Sequence, residues 1–255
     1  MSKSKINVWD GVYANWESAP TDDRVFTNNI WLDKITDIAE KQLELVTNKK
    51  SNSELTISYD YILPVVCSMV EQNDRSLRII DYGGGLAASY FSLISATSKK
   101  IDFHIVETSV VSERGNQLFS EIKDVSFYTR LSEVSHLSSN TDIIHLGSSF
   151  QYINDYENLL NELLSFKPKY LVLADVLAGN IKSFVTIQNY YGKRIRVRFH
   201  NLDNLISLIE GHGFELLYNN KFTAPILDGV EKLPMDNFNS NHRLEYPCQL
   251  LFKSL

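Results

Sequence analysis

Between residues 77 and 174, short apolar runs alternate with stretches in which apolar residues recur at helical spacing. The runs at 77–80, 101–107, 125–129, 142–146 and 170–174 are rich in Leu, Ile, Val, Phe and Tyr, as strands covered on both faces require. Segments 86–96 and 110–122 have the period of amphipathic helices. A third helix follows Asp155, a suitable N-cap, and places Tyr156, Leu159, Leu160, Leu163 and Leu164 on one side. Strands alternating with helices predict a parallel sheet with helices on both faces and right-handed crossovers.

Both ends depart from this rhythm. Phe26, Ile30, Ile35, Ile38, Leu43 and Val46 predict an amphipathic helix over 26–46. The polar run 48–53 then divides the chain into an N-terminal extension, 1–53, and a main domain, 54–255. Another helix is expected over 59–72, with Pro64 near its start and Tyr61, Val65, Val66, Met69 and Val70 on its apolar side. Residues 6–26 mix Trp9, Tyr13 and Trp16 with Gly11 and Pro20 and read as irregular, either a strap on the main domain or a lid over a ligand. Aromatic faces suit sugar rings and adenines, which makes Trp9, Tyr13 and Trp16 candidate substrate contacts. Downstream, 185–188 and 194–200 predict a hairpin around Tyr190-Tyr191-Gly192. A helix capped by Asn201 follows, with Leu205, Ile206 and Ile209 inward and Gly211 or Gly213 as its stop. Runs 214–222 and 247–252 predict an antiparallel pair at the sheet edge, because two strands joined directly to each other do not form a parallel crossover unit. The long connection 223–246 is expected to be functional or disordered. The fold class is α/β: a Rossmann-like, doubly wound, mostly parallel seven-stranded sheet ending in an antiparallel pair.

Composition narrows the partners. A 255-residue chain with 44% hydrophobic content can bury one substantial core. Acidic residues (31) outnumber basic ones (25), so no global positive field draws the chain to nucleic acid or an anionic membrane. Cys67 and Cys248 lie far apart with no metal-ligand spacing; both are expected as reduced core residues, and no metal is expected. Neither a signal peptide nor an integral membrane segment is legible, which leads to the expectation of a cytoplasmic protein, with a homodimer left open.

The chemistry gathers at strand ends. Asp81-Tyr82-Gly83-Gly84-Gly85 closes the first parallel strand, and Glu107 closes the second, 22 residues after Gly85. Only glycine lets backbone approach a ligand closely, and an acid at the second strand end accepts both hydroxyls of a ribose. A nucleotide-type cofactor follows. Gly83-x-Gly85-x-x-Ala88 also fits a dinucleotide fingerprint, leaving an NAD(P)-dependent oxidoreductase open. Against it, Asp81 beneath the glycines opposes a pyrophosphate and suits a cationic ammonium group.

Asp81-Tyr-Gly-Gly-Gly-Leu-Ala87, with Glu107 beyond it, resembles the first motif of class I S-adenosylmethionine-dependent methyltransferases. More narrowly, the chain resembles methyltransferases of bacterial surface-polysaccharide gene clusters, through Trp9-x-Gly-x-Tyr-x-x-Trp16, residues 80–85, Ile105-Val-Glu107, Gly147-Ser-Ser-Phe-Gln-Tyr152 and Val185-Thr-Ile-Gln188. The resemblance implies S-adenosylmethionine as cofactor, with Asp81, Tyr82, Gly83, Gly84 and Gly85 at its methionine moiety. Glu107 and Thr108 would meet the ribose, and Leu131 and Ser132 the adenine. Gly147, Ser148 and Ser149 would lie beside the sulfonium methyl, with Gln151, Tyr152 and Gln188 toward the acceptor. One position departs from the pattern: Asp175 stands where a basic residue is expected.

Methyl transfer is an in-line displacement that needs alignment and at most one base. His145, Asp175 and His200 are the candidates to take a proton. In a strand, Arg194, Arg196, Arg198 and His200 share one face. That face is either solvated or an anion site in which Arg196 and Arg198 hold a sugar nucleotide, a lipid-linked phosphate or an acidic sugar. The Asn/Asp-Pro-Pro-aromatic element of DNA amino-methyltransferases is absent. The expected activity is methylation of a hydroxyl or amino group on a small carbohydrate-like or glycan acceptor, the alternative being a cofactor-binding scaffold in a glycan-assembly complex.

Overall fold

A computed structural model describes residues 7–22, 29–47, 62–71, 75–138, 140–223 and 232–255. The predicted alternation is present: β2 (Leu77–Tyr82), α3 (Ala88–Ala96), β3 (Ile101–Val106), α4 (Ser109–Leu118), β4 (Val125–Tyr128), β5 (Ile143–Gly147), α5 (Tyr156–Leu164) and β6 (Tyr170–Val176). After α6 (Leu202–Glu210), the strands β10 (Phe214–Lys221) and β11 (Cys248–Ser254) complete a seven-stranded sheet of order β10-β11-β6-β5-β2-β3-β4. Strands β4, β3, β2, β5 and β6 are parallel, and β11 runs antiparallel to both β6 and β10. This is the expected Rossmann-like sheet. The chain runs outward from β2 to β4, then returns to place β5 on the other side of β2, so a crevice opens above the carboxyl ends of β2 and β5.

The two faces of the sheet carry separate cores, as alternating side chains dictate. Ile79 points into one with Phe91, Phe103 and Val66, and Ile80 into the other with Ile144, Leu160 and Ile209. Helix α5 buries Leu159, Leu160, Leu163 and Leu164 as its spacing predicts, and the Asp155 carboxylate accepts from the Asn158 amide at 3.4 Å. Asn201 caps α6 in the same way, accepting from the Asn204 amide at 3.0 Å.

The two N-terminal helices follow the pattern in part: Ile35, Leu43 and Val46 pack against the core, and Val66 and Val70 are buried in it. Helix α1 (Asn29–Thr47) buries Leu32, Thr36, Ala39 and Gln42, leaving Ile30 and Ile38 exposed; small Ala39 permits close packing where isoleucine does not. Helix α2 (Ile62–Met69) buries Ile62, Leu63, Val66 and Cys67, and exposes Val65 and Met69. Phe26, Tyr61 and the run 48–53 lie outside the described residues.

The aromatic segment is not wholly irregular. Trp9–Tyr13 forms β1, which pairs antiparallel with β8 (Phe184–Tyr190) in a second sheet of order β1-β8-β9-β7, completed by β9 (Lys193–Asn201) and β7 (Ala178–Gly179). The Thr186 hydroxyl donates to the Gly11 carbonyl at 2.6 Å and anchors the pairing. Trp9 is buried against Phe199, edge to face at 5.8 Å, in a third core shared with Leu233, Met235, Phe238 and Leu244. Residues 232–246 of the long connection therefore cover this small sheet, and Asn237 donates to the Trp9 carbonyl at 2.9 Å.

Trp9→Ala is expected to destabilise the protein by about 3–5 kcal/mol, the cost of emptying a buried aromatic site. Urea denaturation measures it, and a loss below about 1 kcal/mol would show that the small sheet does not need this ring.

Candidate active site

Asp81, the last residue but one of β2, is wholly buried beneath the turn that follows. Its Oδ1 accepts from Nδ1 of His145, the residue beside it on β5, at 2.8 Å. Its Oδ2 has no hydrogen-bond partner among the described residues. The turn above is steric in origin. A Cβ on Gly84 would meet the Asp81 carboxylate, one on Gly83 would meet Ser149, and one on Gly147 would meet the His145 ring. Gly85 (φ +57°) has open space where a side chain would stand.

Glu107 follows β3 and folds back over this turn. One carboxylate oxygen accepts from the Gly85 amide at 3.2 Å and the other from the Thr108 amide at 2.6 Å. Burial raises its pKa above the ordinary 4.5, outweighing these two hydrogen bonds. After β5, Ser148 takes a left-handed backbone (φ 56°) and donates to Asp175 at 2.6 Å; Asp175 is itself left-handed (φ 53°) at the end of β6. Two non-glycine residues in this region, linked to each other at one site, mark a locally strained edge. Ser149 donates to the Tyr82 carbonyl at 2.7 Å, tying the β5 turn to the β2 turn.

These groups surround a cavity of about 650 Å³. The structure brings together on its wall Asp81, Tyr82, Gly83, Gly84, Gly85, Glu107 and Thr108, with His145, Gly147, Ser148, Ser149, Tyr152 and Asp175. Other anticipated residues stand elsewhere. Leu131 turns into the core and Ser132 to solvent in a short 3-10 helix (Leu131–Leu137), leaving Thr129 on the wall. Gln151 lies buried below the β5 turn, donating to the Ser148 carbonyl at 3.1 Å. Gln188 is off the wall but accepts from the Tyr152 hydroxyl at 2.8 Å, tethering that ring to the small sheet. His200 is enclosed by Phe150 and Tyr156, and burial depresses its pKa to about 3, so it is neutral at ordinary pH.

The arginine face of β9 is not turned to the cavity; Arg194 is exposed, and Arg196 and Arg198 are half-covered by neighbouring segments. Arg194 pairs with Asp22, Arg196 donates to the Ala19 carbonyl at 2.6 Å, and the Arg198 guanidinium lies over Trp16 and Tyr156. Trp16 is thus a cation–π partner in a strap, and Tyr13 pairs with Val185 in the small sheet. Three aromatics that the sequence-based reading did not assign to the site line the cavity: Trp31 of α1, Tyr190 at the hairpin end and Phe222 after β10. The sequence signal for Tyr190 is two adjacent tyrosines at a turn, where both rings cannot enter one core.

Removing one member of the buried pair should cost more than removing both. His145→Phe leaves a buried carboxylate without its partner and is expected to lose about 3 kcal/mol in urea denaturation. Asp81→Leu with His145→Phe is expected to recover most of that; equal losses in the two variants would refute the pairing.

No protein-family model matches the chain, and no curated protein sequence matches it. Solved structures do. The chain is similar to 1,6-didemethyltoxoflavin-N1-methyltransferase from Burkholderia thailandensis, solved with 1,6-didemethyltoxoflavin and S-adenosylhomocysteine bound: TM-score 0.52, 12% identity, 93% of this chain and 92% of that one covered. It is similar to an S-adenosylmethionine-dependent methyltransferase from Methanosarcina mazei: TM-score 0.54, 14% identity, 75% and 97% covered. The [4+2]-cyclase SpnF is as similar, with TM-score 0.52, 14% identity and 95% and 99% covered. The likeness establishes the fold of the S-adenosylmethionine-dependent methyltransferases, and the cyclase shows that one fold can carry another reaction.

Proposed function

We propose that this chain is an S-adenosylmethionine-dependent methyltransferase acting on a hydroxyl or amino group of a small, ring-shaped, carbohydrate-like acceptor. The observation that carries the reading is the Asp81 Oδ2, buried without a hydrogen-bond partner among the described residues, beneath a turn that has no room for a side chain at Gly83 or Gly84. A buried carboxylate oxygen in that position fits a cationic ammonium group and opposes a pyrophosphate, which weighs against a dinucleotide. Glu107, held open toward the cavity by two backbone amides, fits the two hydroxyls of a ribose. Bound there, the cofactor supplies an electrophilic methyl group on a sulfonium sulfur. The protein's own contribution is then to align an acceptor from the Ser148, Tyr152 and Asp175 side and to exclude water with the aromatic rings. The carbohydrate-like character of the acceptor, and a place in surface-glycan assembly, are supported by the motif resemblance and by ring-shaped walls.

Calorimetry with S-adenosylhomocysteine tests the donor. Micromolar binding by the wild type, weakened at least about tenfold in Asp81→Ala and in Glu107→Ala, is expected. No binding by the wild type, or unchanged binding by both variants, would end the proposal.

A pH dependence follows from Glu107. Its pKa is raised by burial, and the diol needs the carboxylate, so affinity is present at neutral pH and falls as the pH drops through a value above 4.5. Glu107→Gln is expected to bind weakly and to lose this pH dependence, and a titration of the dissociation constant between pH 8 and the acid limit of folding reads it.

A further inference from the structure

Two parts of the cavity wall are held in place by different means. Asp81 to Gly85 and Glu107 stand at the ends of paired strands of the large sheet, and the amides of Gly83 and Glu107 donate to the Val106 and Tyr128 carbonyls at 2.9 Å. Ser148, Ser149, Tyr152 and Ile153 belong instead to a segment that leaves β5, makes one 3-10 turn (Phe150–Tyr152) and enters α5 at Asp155. Within it the amides of Tyr152 and Ile153 close short turns onto the Ser149 and Phe150 carbonyls, at 3.1 and 3.3 Å. Such turns hold weakly by themselves. The small sheet supplies the rest. The Tyr152 hydroxyl reaches Gln188 of β8, and His200 of β9 packs under the turn, 5.0 Å from the Phe150 ring and 4.8 Å from Tyr156. Two residues earlier on that face of β9, Arg198 donates to the Asn154 carbonyl at 3.3 Å and to the Asn154 side-chain oxygen at 3.5 Å. Its guanidinium lies 5.2 Å from the Tyr156 ring centre and 5.5 Å from that of Trp16. The strap meets Asn154 directly as well, Glu17 accepting from its side-chain amide at 3.1 Å. One side chain thus joins the strap, the wall segment and the start of α5, without itself lining the cavity.

We propose that Arg198 is a positioning residue for the acceptor: through Asn154 and Tyr156 it sets where Tyr152 and Ile153 stand beside the donor, and Trp16 and Glu17 of the strap hold it there. This rests on the methyl-transfer reading above and assigns acceptor alignment at that site to the N-terminal strap. The guanidinium suits the task because its planar face lies on aromatic rings while its edge N–H groups still reach carbonyl oxygens; an ammonium is a point charge without that division. A half-covered, charge-assisted bond to the Asn154 carbonyl adds most to a segment whose own turns are weak. In-line displacement is sensitive to small shifts of the acceptor wall, so a residue remote from the reacting atoms acts on the rate by fixing that wall. The glycine turn and Glu107 depend on the large sheet, and the position of the donor is therefore independent of Arg198.

Amide-resolved hydrogen exchange on the full chain tests this, with S-adenosylhomocysteine calorimetry on the same samples. In Arg198→Ala the Tyr152 and Ile153 amides are expected to exchange about tenfold faster while those of Gly83 and Glu107 keep their rates. Affinity for S-adenosylhomocysteine should stay within about twofold of the wild type. Trp16→Leu removes one ring and leaves Arg198, so the same two amides should accelerate about threefold; this variant carries the test if Arg198→Ala does not fold. Millimolar ethylguanidinium is expected to restore slow exchange to Arg198→Ala, and ethylammonium is not. Unchanged exchange at Tyr152 and Ile153 in the folded variants, equal acceleration at Gly83 and Glu107, no restoration by ethylguanidinium, or restoration by ethylammonium as well, overturns the positioning role and leaves the donor reading standing. Failure of S-adenosylhomocysteine to bind the wild type overturns the donor reading, and the assignment of this wall to an acceptor with it.

Discussion

A carboxylate removed from water sets the constraints at the centre of this molecule. Asp81 lies at the carboxyl end of β2, the middle one of the five parallel strands, with one oxygen tied to His145 and the other enclosed under the following turn. Such a group is tolerated only where the surroundings are arranged for it. The neighbouring strand must supply a histidine at the same level, and the backbone above must come close enough to leave no room for a Cβ. Gly84 answers the carboxylate and Gly147 answers the histidine ring. Gly84 and Gly147 are thus consequences of one buried pair, and the crevice beside them is where the sheet changes direction.

The second sheet builds the opposite wall by a different logic. Strand β9 alternates Ile195, Val197 and Phe199 into the small core with Arg194, Arg196 and Arg198 on the other side, and those arginines hold residues 16–22 against the hairpin. Tyr152 bridges the two sheets through Gln188, while the hairpin end presents Tyr190 to Trp31 of α1. A basic strand in an acidic chain therefore has an architectural role: it fixes the N-terminal strap beside a cavity whose described lining contains no lysine or arginine.

Legibility followed the range of the interactions involved. The parallel strands, the helices α3 to α6, the hairpin and the closing antiparallel pair were readable because period and capping are local properties. The glycine turn and Glu107 were readable for the same reason, each being a strand end followed by a turn. Strand β1 was not, since Trp9 is sheltered by Phe199 and by residues 233–244, partners nearly the whole chain away. The buried faces of α1 and α2 were read correctly at Ile35, Leu43, Val46, Val66 and Val70 and misjudged at Ile30, Ile38, Val65 and Met69, where hydrophobicity alone was followed and close packing selected Ala39 and Cys67. The aromatic wall is assembled from three distant segments, and no spacing rule unites Trp31, Tyr190 and Phe222.

The two ends of the sheet show why partnership, not burial, separates a structural acid from a binding one. Asp142 precedes β5 at the amino end and is as hidden as Asp81. Burial pushes its pKa upward, but Arg75 bonds both oxygens, at 2.6 and 2.7 Å, and Lys169 and the Arg78 amide add to them, so the net shift is downward. That carboxylate is complete within the fold. At the carboxyl end, Asp81 keeps an oxygen without a hydrogen-bond partner among the described residues, and the pKa of Glu107 is raised by burial despite two amides. A fold that can neutralise one buried acid this thoroughly has no general difficulty in doing so. Where it leaves acids only partly satisfied, together, around a cavity, their complement comes from outside the chain, and it must be rich in hydrogen-bond donors and positive charge.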